Sequence, residues 1–511
     1  MFSTFTSFYF LCFYFLFLII YYIIPHKMQW LILLVGSIAY YLLSGNGLFI
    51  LYPLATCFSA YMSAKWIYKI QSPTGKKRIL ILSILIQIGV LFVFKYINFG
   101  INTVNGIASL FGNDQDVISG FNLIAPLGIS FYTFTVLGYV IDVYNNIVEP
   151  QTNWFKFLVY GMYFPNILSG PILRYRIEGD QFFAPHKLDY KNITFGLQRM
   201  LWGFFKTLVI SERLALIVNT IYGYPTQYTG VYVWVGTVCF AFQLYTNFSG
   251  CMDIVLGMSE TFGLILPENF QTPFLSKSVS EYWRKWHITL GVWMKEYVFY
   301  PLLRSRIFTG MAQGLKKRFG KKTGKQLNTF IAMFILWFTV GVWHGGDWKY
   351  VIGSGLLHWM YIVLEELWAP GFIRLLQKMH INPQSRGVDV FRILRTFFLV
   401  NIGFVFFRAD SVRTAWYMLV NGVRIINVQA LFDGSMLYLG LDLIEWIIVI
   451  VSIGMLFIVS ILQQEKSIRE RIAGKNIVVR WILLYALLFY VILLGYYGPG
   501  YSAAEFIYQG F

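Results

Sequence analysis

Charge is what this chain has least of. Only 13% of its 511 residues are Asp, Glu, Lys or Arg, while 57% are hydrophobic. Soluble domains carry about 25% charged residues, so a water-soluble globular protein of this length is excluded. Cysteine is scarce too: Cys12, Cys57, Cys239 and Cys251 sit in apolar stretches with no C-x-x-C spacing. That argues against a disulfide framework or a zinc site and leaves small buried hydrophobes. The sequence contains no P-loop, no dinucleotide-binding glycine fingerprint and no G-x-S-x-G elbow, so any group transfer here uses a bound donor without nucleotide hydrolysis. The first apolar run, near 8–24, lacks the basic leader and small-residue cleavage site of a secretory signal and reads as a retained span. No internal repeat is visible, which weakens a transporter built on duplicated halves.

Long apolar runs are what the chain has instead. They fall near 8–24, 28–43, 47–66, 79–98, 122–144, 194–220, 231–258, 328–343, 350–368, 391–407, 441–462 and 479–497. A shorter piece at 155–169, followed by Gly170-Pro171, predicts a partial or re-entrant helix. Runs of this length suit a hydrocarbon core of about 30 Å. The expected class is therefore an all-α, polytopic membrane protein with roughly 11–13 transmembrane or re-entrant helices. The net charge of +17 collects between the runs, where positive charge signals orientation rather than nucleic-acid binding. Lys65, Lys69, Lys76, Lys77 and Arg78 lie in one loop. Lys316, Lys317, Arg318, Lys321, Lys322 and Lys325 lie in a second, and Lys466, Arg469, Arg471 and Lys475 in a third. Counting spans puts all three on one side, which the positive-inside rule makes cytoplasmic. The opposite loops, 100–120 and 222–230, have no Lys or Arg, and the first carries Asp114 and Asp116. Segment 259–327, with His287, is then cytoplasmic, whereas His344 follows an outward span.

Two stretches place a histidine among tryptophans: EYWRKWHITLGVWMKEYVFYP at 281–301 and GVWHGGDWKYVIGSGLLH at 341–358. Histidine titrates near neutral pH, and an ionisable group in or beside lipid points to function. Ser278 and Glu281 have capping-box spacing, which predicts the start of a helix. At about 100° per residue, Trp283, Trp286, His287, Leu290, Trp293, Met294 and Tyr297 share one face. Such a helix is expected to lie in the interface, tryptophans at headgroup depth. The plainer reading of His287 is a ring hydrogen-bonded to a carbonyl. After His344, Gly345 and Gly346 would let backbone or substrate come close, with Trp343 and Trp348 as flat walls. Asp347 suits orienting a histidine or, more commonly, capping the next helix. His358 lies about four helical turns beyond His344, so His344, Asp347 and His358 do not converge and no metal site is expected. Arg174 and Arg176 suit phosphate binding or membrane-flanking charge equally. Asp253 inside a span marks a functional cavity or a buried pair. Arg408 and Asp410 end a span and suit pairing with each other.

Taken in order, LYTNFSGCMDIVLG, LPENFQTPFLSKSVSEYWRKWHITLGVWMKEYVFYPL, GVWHGGDWKYVIGSGLLH and FVFFRADS resemble the membrane-bound O-acyltransferase family. FPNILSGPILR and the final FIYQGF resemble its bacterial polysaccharide O-acetylation branch, the alginate O-acetylase type. The likeness runs collinearly from about residue 120 and implies one membrane-embedded domain over 1–511. N-terminal helices would occupy 1–120, a catalytic core with a funnel or tunnel 121–410, and C-terminal helices 411–511. It implies acyl transfer from a cytosolic donor, often acetyl-CoA, to a hydroxyl beyond the outer face of a bacterial cell membrane, with no bound cofactor. His344 matches the essential histidine of W-H-G. His287 matches a second polar position, histidine or asparagine, after W-R-x-W, with Trp286 beside it. His358 matches a histidine in G-x-x-H. Arg174, Arg176, Arg284 and Lys285 are candidates for the donor's phosphates, and Asp347, Asp253, Trp343 and Trp286 for support. The polysaccharide acceptor would be reached through an extracytoplasmic partner that takes the acyl group, because no polar stretch here is long enough to be that domain. Asn247, Cys251, Gly346-Asp347 and Ser354 stand where the branch more often has Asp, Tyr, Ala-Asn and Trp. The D-alanyl transfer branch shares W-R-x-W-H and W-H-G, but FFRADS favours acetylation. A transporter or channel, or a non-catalytic scaffold, is the competing class; the scaffold would tolerate loss of His344, and acyl transfer that depends on His344 separates an enzyme from both.

Overall fold

The computed structural model describes residues 4–112 and 117–497, with Asn46 by backbone alone. Asp114, Asp116 and the final FIYQGF lie outside the described residues. Among those described, regular structure is helical, and the one β-type pairing is an isolated antiparallel bridge between Phe270 and Trp286. Apolar surroundings leave main-chain polar groups no water to bond, and a helix satisfies them within its own segment.

Among the described residues, seven helices are long and apolar enough to cross a membrane: His26–Gly45, Gly47–Lys69, Pro73–Lys95, Lys321–Gly345, Arg386–Arg408, Leu443–Leu462 and Ile477–Leu494. Phe8–Ile23 and Ile129–Tyr144 are shorter apolar helices. Val231–Thr261 continues for 31 residues, about 46 Å at 1.5 Å per residue. Most of the apolar runs expected from the sequence are helical, but the run near 122–144 is so only from Ile129, because residues 122–128 are coil and turn. Their starts carry legible caps: Ser72 accepts from the Gly75 amide ahead of Pro73, and Asp442 with Glu445 forms a capping box. The run near 194–220 is not one regular helix. Tyr190–Phe204 passes through a π-helical stretch, Phe205–Ser211, into Glu212–Gly223. The piece at 155–169 is two short helices, Trp154–Met162 and Phe164–Ile167, interrupted at Tyr163.

The chain forms two compact units interleaved in sequence. One comprises the described residues up to Leu208, Asn247–Glu268 and those from Ile472 onward; the other comprises Val209–Thr246 and Asn269–Arg471. In the first unit, two helix segments meet through glycines. A Cβ on Gly196 would lie 2.5 Å from the Gly257 carbonyl oxygen, and one on Gly203 2.6 Å from that of Gly250. Small residues at such crossings let backbones approach closely without lipid-excluding bulk. Arg199 lies between Gly196 and Gly203, and Asp253 between Gly250 and Gly257, so the glycine contact carries these charged side chains into the interior. The second unit holds both histidine–tryptophan segments.

Candidate active site

The expected helix through His287 starts where the sequence places it and then breaks. Ser278 accepts from the Glu281 amide at 3.0 Å, and Val279–Lys285 follows. Trp286 is extended, His287 is left-handed at φ 48°, ψ 51°, and a second helix runs Ile288–Met294. The cause is an extended segment that pairs with this stretch. Gln271 donates its amide to the Lys285 carbonyl, and Ile288 donates to that of Asn269, both at 3.0 Å. Holding a non-glycine residue in the left-handed region costs on the order of 1–2 kcal/mol and persists only where surroundings over-determine it. Neither is the aromatic face interfacial. Trp286 is only 1% exposed and packs on Phe270 at 5.1 Å, Tyr282 at 5.5 Å and Phe404 at 5.9 Å between ring centres. It is core.

The side chain of Asn269 reaches the same break. Its Oδ1 accepts from the Thr289 amide and from Thr289 Oγ1, each at 3.0 Å, and lies 3.3 Å from His287 Nδ1. Burial pushes the His287 imidazole down to about 3, so the ring is neutral at physiological pH. Asn269 carries no periodic signal. What could have marked it is a polar residue in the short segment between the Val231–Thr261 helix and the cap at Ser278.

His344 occupies the last turn of Lys321–Gly345 and is 2% exposed. Its ring centre lies 5.1 Å from that of Trp343 and 5.7 Å from that of Phe407. His287 packs on Trp343 as well, at 5.6 Å. One indole therefore touches both imidazoles, and the two segments that sequence could only place on opposite approaches meet at Trp343. The glycines have other work than admitting substrate. Gly346, at φ 59°, caps the helix by donating to the Val342 carbonyl, and a Cβ on Gly345 would lie 2.3 Å from the Tyr350 ring. Asp347 accepts from the Lys349 amide at 2.8 Å and caps the turn Trp348–Tyr350. Trp348 is exposed.

Close packing fixes the end of the His344 helix. A Cβ on Gly341 would lie 2.7 Å from Val351 Cα and 3.0 Å from the Tyr350 carbonyl oxygen, main-chain atoms with no room to yield. Gly341→Ala is expected to destabilise the protein by roughly 1–3 kcal/mol through overpacking. A lowered thermal midpoint in detergent would register this, and an unchanged midpoint would contradict it. His358 lies past the π-helical stretch Val351–Leu356, with its ring centre 4.9 Å from Trp283 and 6.0 Å from Trp337. Its Nδ1 is buried without a hydrogen-bond partner among the described residues. A Cβ on Gly403 would reach within 2.9 Å of its Nε2. Trp283 and Trp337 thus form an aromatic slot for His358 that helix patterning did not separate from core.

The basic candidates fall in different units. Arg174 donates its main-chain amide to Glu178 at 2.7 Å, and Arg176 lies 3.7 Å from Asp142, both in the first unit. Arg284 donates to Ser280 at 3.2 Å, and Lys285 pairs with Glu281 at 2.7 Å, in the second. Asp253 accepts from Arg199 Nε at 3.0 Å and pairs with Lys206 Nζ, which also donates to Ser249 at 3.0 Å. Arg199 continues to Glu268 at 2.7 Å. Of the two readings open for Asp253, the structure shows the buried pair. Arg408 donates to Asn219 at 2.8 Å rather than bonding Asp410. Among the described residues no group of three His, Cys, Asp or Glu could hold a metal ion.

A family model for membrane-bound O-acyltransferases matches residues 150–314. The chain is 31% identical over 403 residues to a probable alginate O-acetylase of Pseudomonas aeruginosa, covering 79% of this chain and 71% of that protein. Similarity to a peptidoglycan O-acetyltransferase of Helicobacter pylori is 28% over 400 residues, covering 72% and 70%. For a teichoic acid D-alanyltransferase of Bacillus subtilis it is 28% over 297 residues, covering 56% of this chain and 69% of the relative.

Proposed function

Because this chain belongs to the membrane-bound O-acyltransferase family and is an integral-membrane O-acyltransferase, we propose that it moves an acetyl group from cytosolic acetyl-CoA to a hydroxyl outside a bacterial plasma membrane. The acceptor is a cell-surface polysaccharide, reached through an extracytoplasmic partner that receives the acyl group. The observation that carries the reading is the single Trp343 indole against both His287 and His344. Basic loops concentrated on one side favour entry of an anionic donor there.

His344 is the general base. Its imidazole takes the proton of the acceptor hydroxyl as that oxygen attacks the thioester carbonyl carbon. The C–O bond forms, the C–S bond breaks, and the thiolate of CoA leaves and recovers the proton from the imidazolium. Products are the O-acetyl ester and CoA. His287, neutral and buried against the same indole, binds a reactant by hydrogen bonding. Trp343 excludes water, which would otherwise hydrolyse the thioester. Arg284 and Lys285, in the unit that holds both histidines, are the candidates for the donor's phosphates. Asp347, which caps the turn after His344, and His358, between Trp283 and Trp337, are the candidates for support.

The identity of the donor is tested with purified protein in liposomes. Radiolabelled acetyl-CoA and a D-alanyl thioester are offered in parallel. Acetyl-dependent release of CoA with label passing to the acceptor is expected. Label taken from the D-alanyl thioester alone would replace acetylation by the D-alanyl reading.

A further inference from the structure

We infer that Asn269 sets the working form of His287: it holds the imidazole as the Nδ1–H tautomer, so that Nε2 meets the reactants with a lone pair and accepts a hydrogen bond. This rests on the placement of His287 in the active site proposed above. The question matters because the other tautomer would do the opposite chemistry, donating Nε2–H to the oxyanion that develops on the thioester carbonyl.

The orientation of the Asn269 amide is fixed by its neighbours. The Thr289 main-chain amide can only donate, and at 3.0 Å it faces Oδ1. Exchanging Oδ1 and Nδ2 would set two donors against each other. Thr289 Oγ1, also at 3.0 Å, supplies a second hydrogen to the same oxygen. An amide oxygen only accepts, so the third atom against it, His287 Nδ1 at 3.3 Å, has to bring a hydrogen. A lone pair at Nδ1 would point at lone pairs on Oδ1 in a site from which water is excluded, where such repulsion is strongest. A neutral imidazole has one N–H. With that hydrogen on Nδ1, Nε2 is the acceptor.

Asn269 also fixes where the ring stands. Its main-chain carbonyl accepts from the Ile288 amide and its side chain from Thr289, the two residues that follow His287. The next residue, Phe270, bridges to Trp286 on the other flank. A single fully buried asparagine thus holds the left-handed backbone of His287 and the tautomer of its ring together. His287 cannot then stabilise an oxyanion as a donor. It aligns a reactant O–H or N–H: the acceptor's hydroxyl or an amide on the donor's arm.

The test reads the tautomer directly. Full-length protein with 15N-labelled histidine is examined in lipid by solid-state NMR, and the signals lost in His287→Gly identify His287. The expected result is a protonated Nδ1 and an unprotonated, pyridine-type Nε2. A protonated Nε2 in the wild-type protein would overturn the inference, whatever the variants do. Asn269→Leu is expected to lose this signature and to lower acetyl transfer by ~10²-fold, the low end of what a positioned acid–base group contributes. A fall in kcat at constant KM for acetyl-CoA assigns the hydrogen bond to the acceptor hydroxyl; a raised KM assigns it to the donor. A folded Asn269→Leu protein with wild-type kcat and KM would end the positioning role. If Asn269→Leu does not fold, the wild-type spectrum still decides. Wild-type transfer by His287→Gly would instead remove His287 from the active site, while the tautomer read in the wild-type protein would stand.

Discussion

Replacing His344 by alanine is expected to lower acyl transfer by about 10³-fold, with glutamine doing no better, because a positioned base contributes ~10²–10⁴-fold. The imidazole is at the final turn of its helix and walled by Trp343 and Phe407. Gly346 ends that helix and Gly341 seats it, so neither function belongs to the histidine. Glutamine keeps side-chain bulk and hydrogen bonding but does not take up a proton near neutral pH, which separates base chemistry from filling space. The loss should appear in kcat with little change in KM for the donor, as for an interaction made in the transition state. Transfer by the glutamine variant within tenfold of wild type would show that the imidazole is not the base. Acyl transfer that depends on His344 separates the enzyme from the transporter and scaffold readings.

The second large effect is on stability. Asp253 neutralises Lys206 and shares Arg199 with Glu268. Lys206 is 4% exposed. Removing one partner of such a buried pair leaves an uncompensated charge and costs roughly 3–5 kcal/mol, so Asp253→Ala should melt far below wild type. Removing the second charge as well should recover part of the loss, because the penalty belongs to the stranded ammonium. Asp253→Asn combined with Lys206→Met is therefore expected to lie above the sum of the single variants. Thermal unfolding in detergent measures all three. Additive losses would mean that the two side chains do not form an energetic pair.

How far the sequence could be read depends on which signals are local. Membrane helices announce themselves by run length, and capping residues by type and spacing, so Ser278 and the cap at Asp347 were legible. The W-H-G segment was legible as a motif. Partners distant in sequence were not: the acid at 253 was conspicuous, but its cations at 199 and 206 were lost in an apolar run. The break at His287 was illegible for a related reason. Residues 278–297 have helical periodicity throughout, and only main-chain pairing with 269–271 ends the helix. Tertiary hydrogen bonds there override a local preference. The glycines after His344 misled because permissiveness alone does not say whether a glycine admits a ligand, stops a helix or clears a neighbouring ring.

The left-handed backbone at residue 287 restricts which side chains evolution or a mutagenesis library can place there. Glycine enters freely, and asparagine, aspartate and histidine tolerate positive φ better than other residues, whereas β-branched residues are outliers. The histidine-or-asparagine choice that the family resemblance assigns to this position is thus a choice within a backbone-restricted alphabet. Alanine scanning at 287 measures two losses at once, ring and backbone. Glycine deletes the ring alone, and asparagine keeps a polar group on a chain path it can follow.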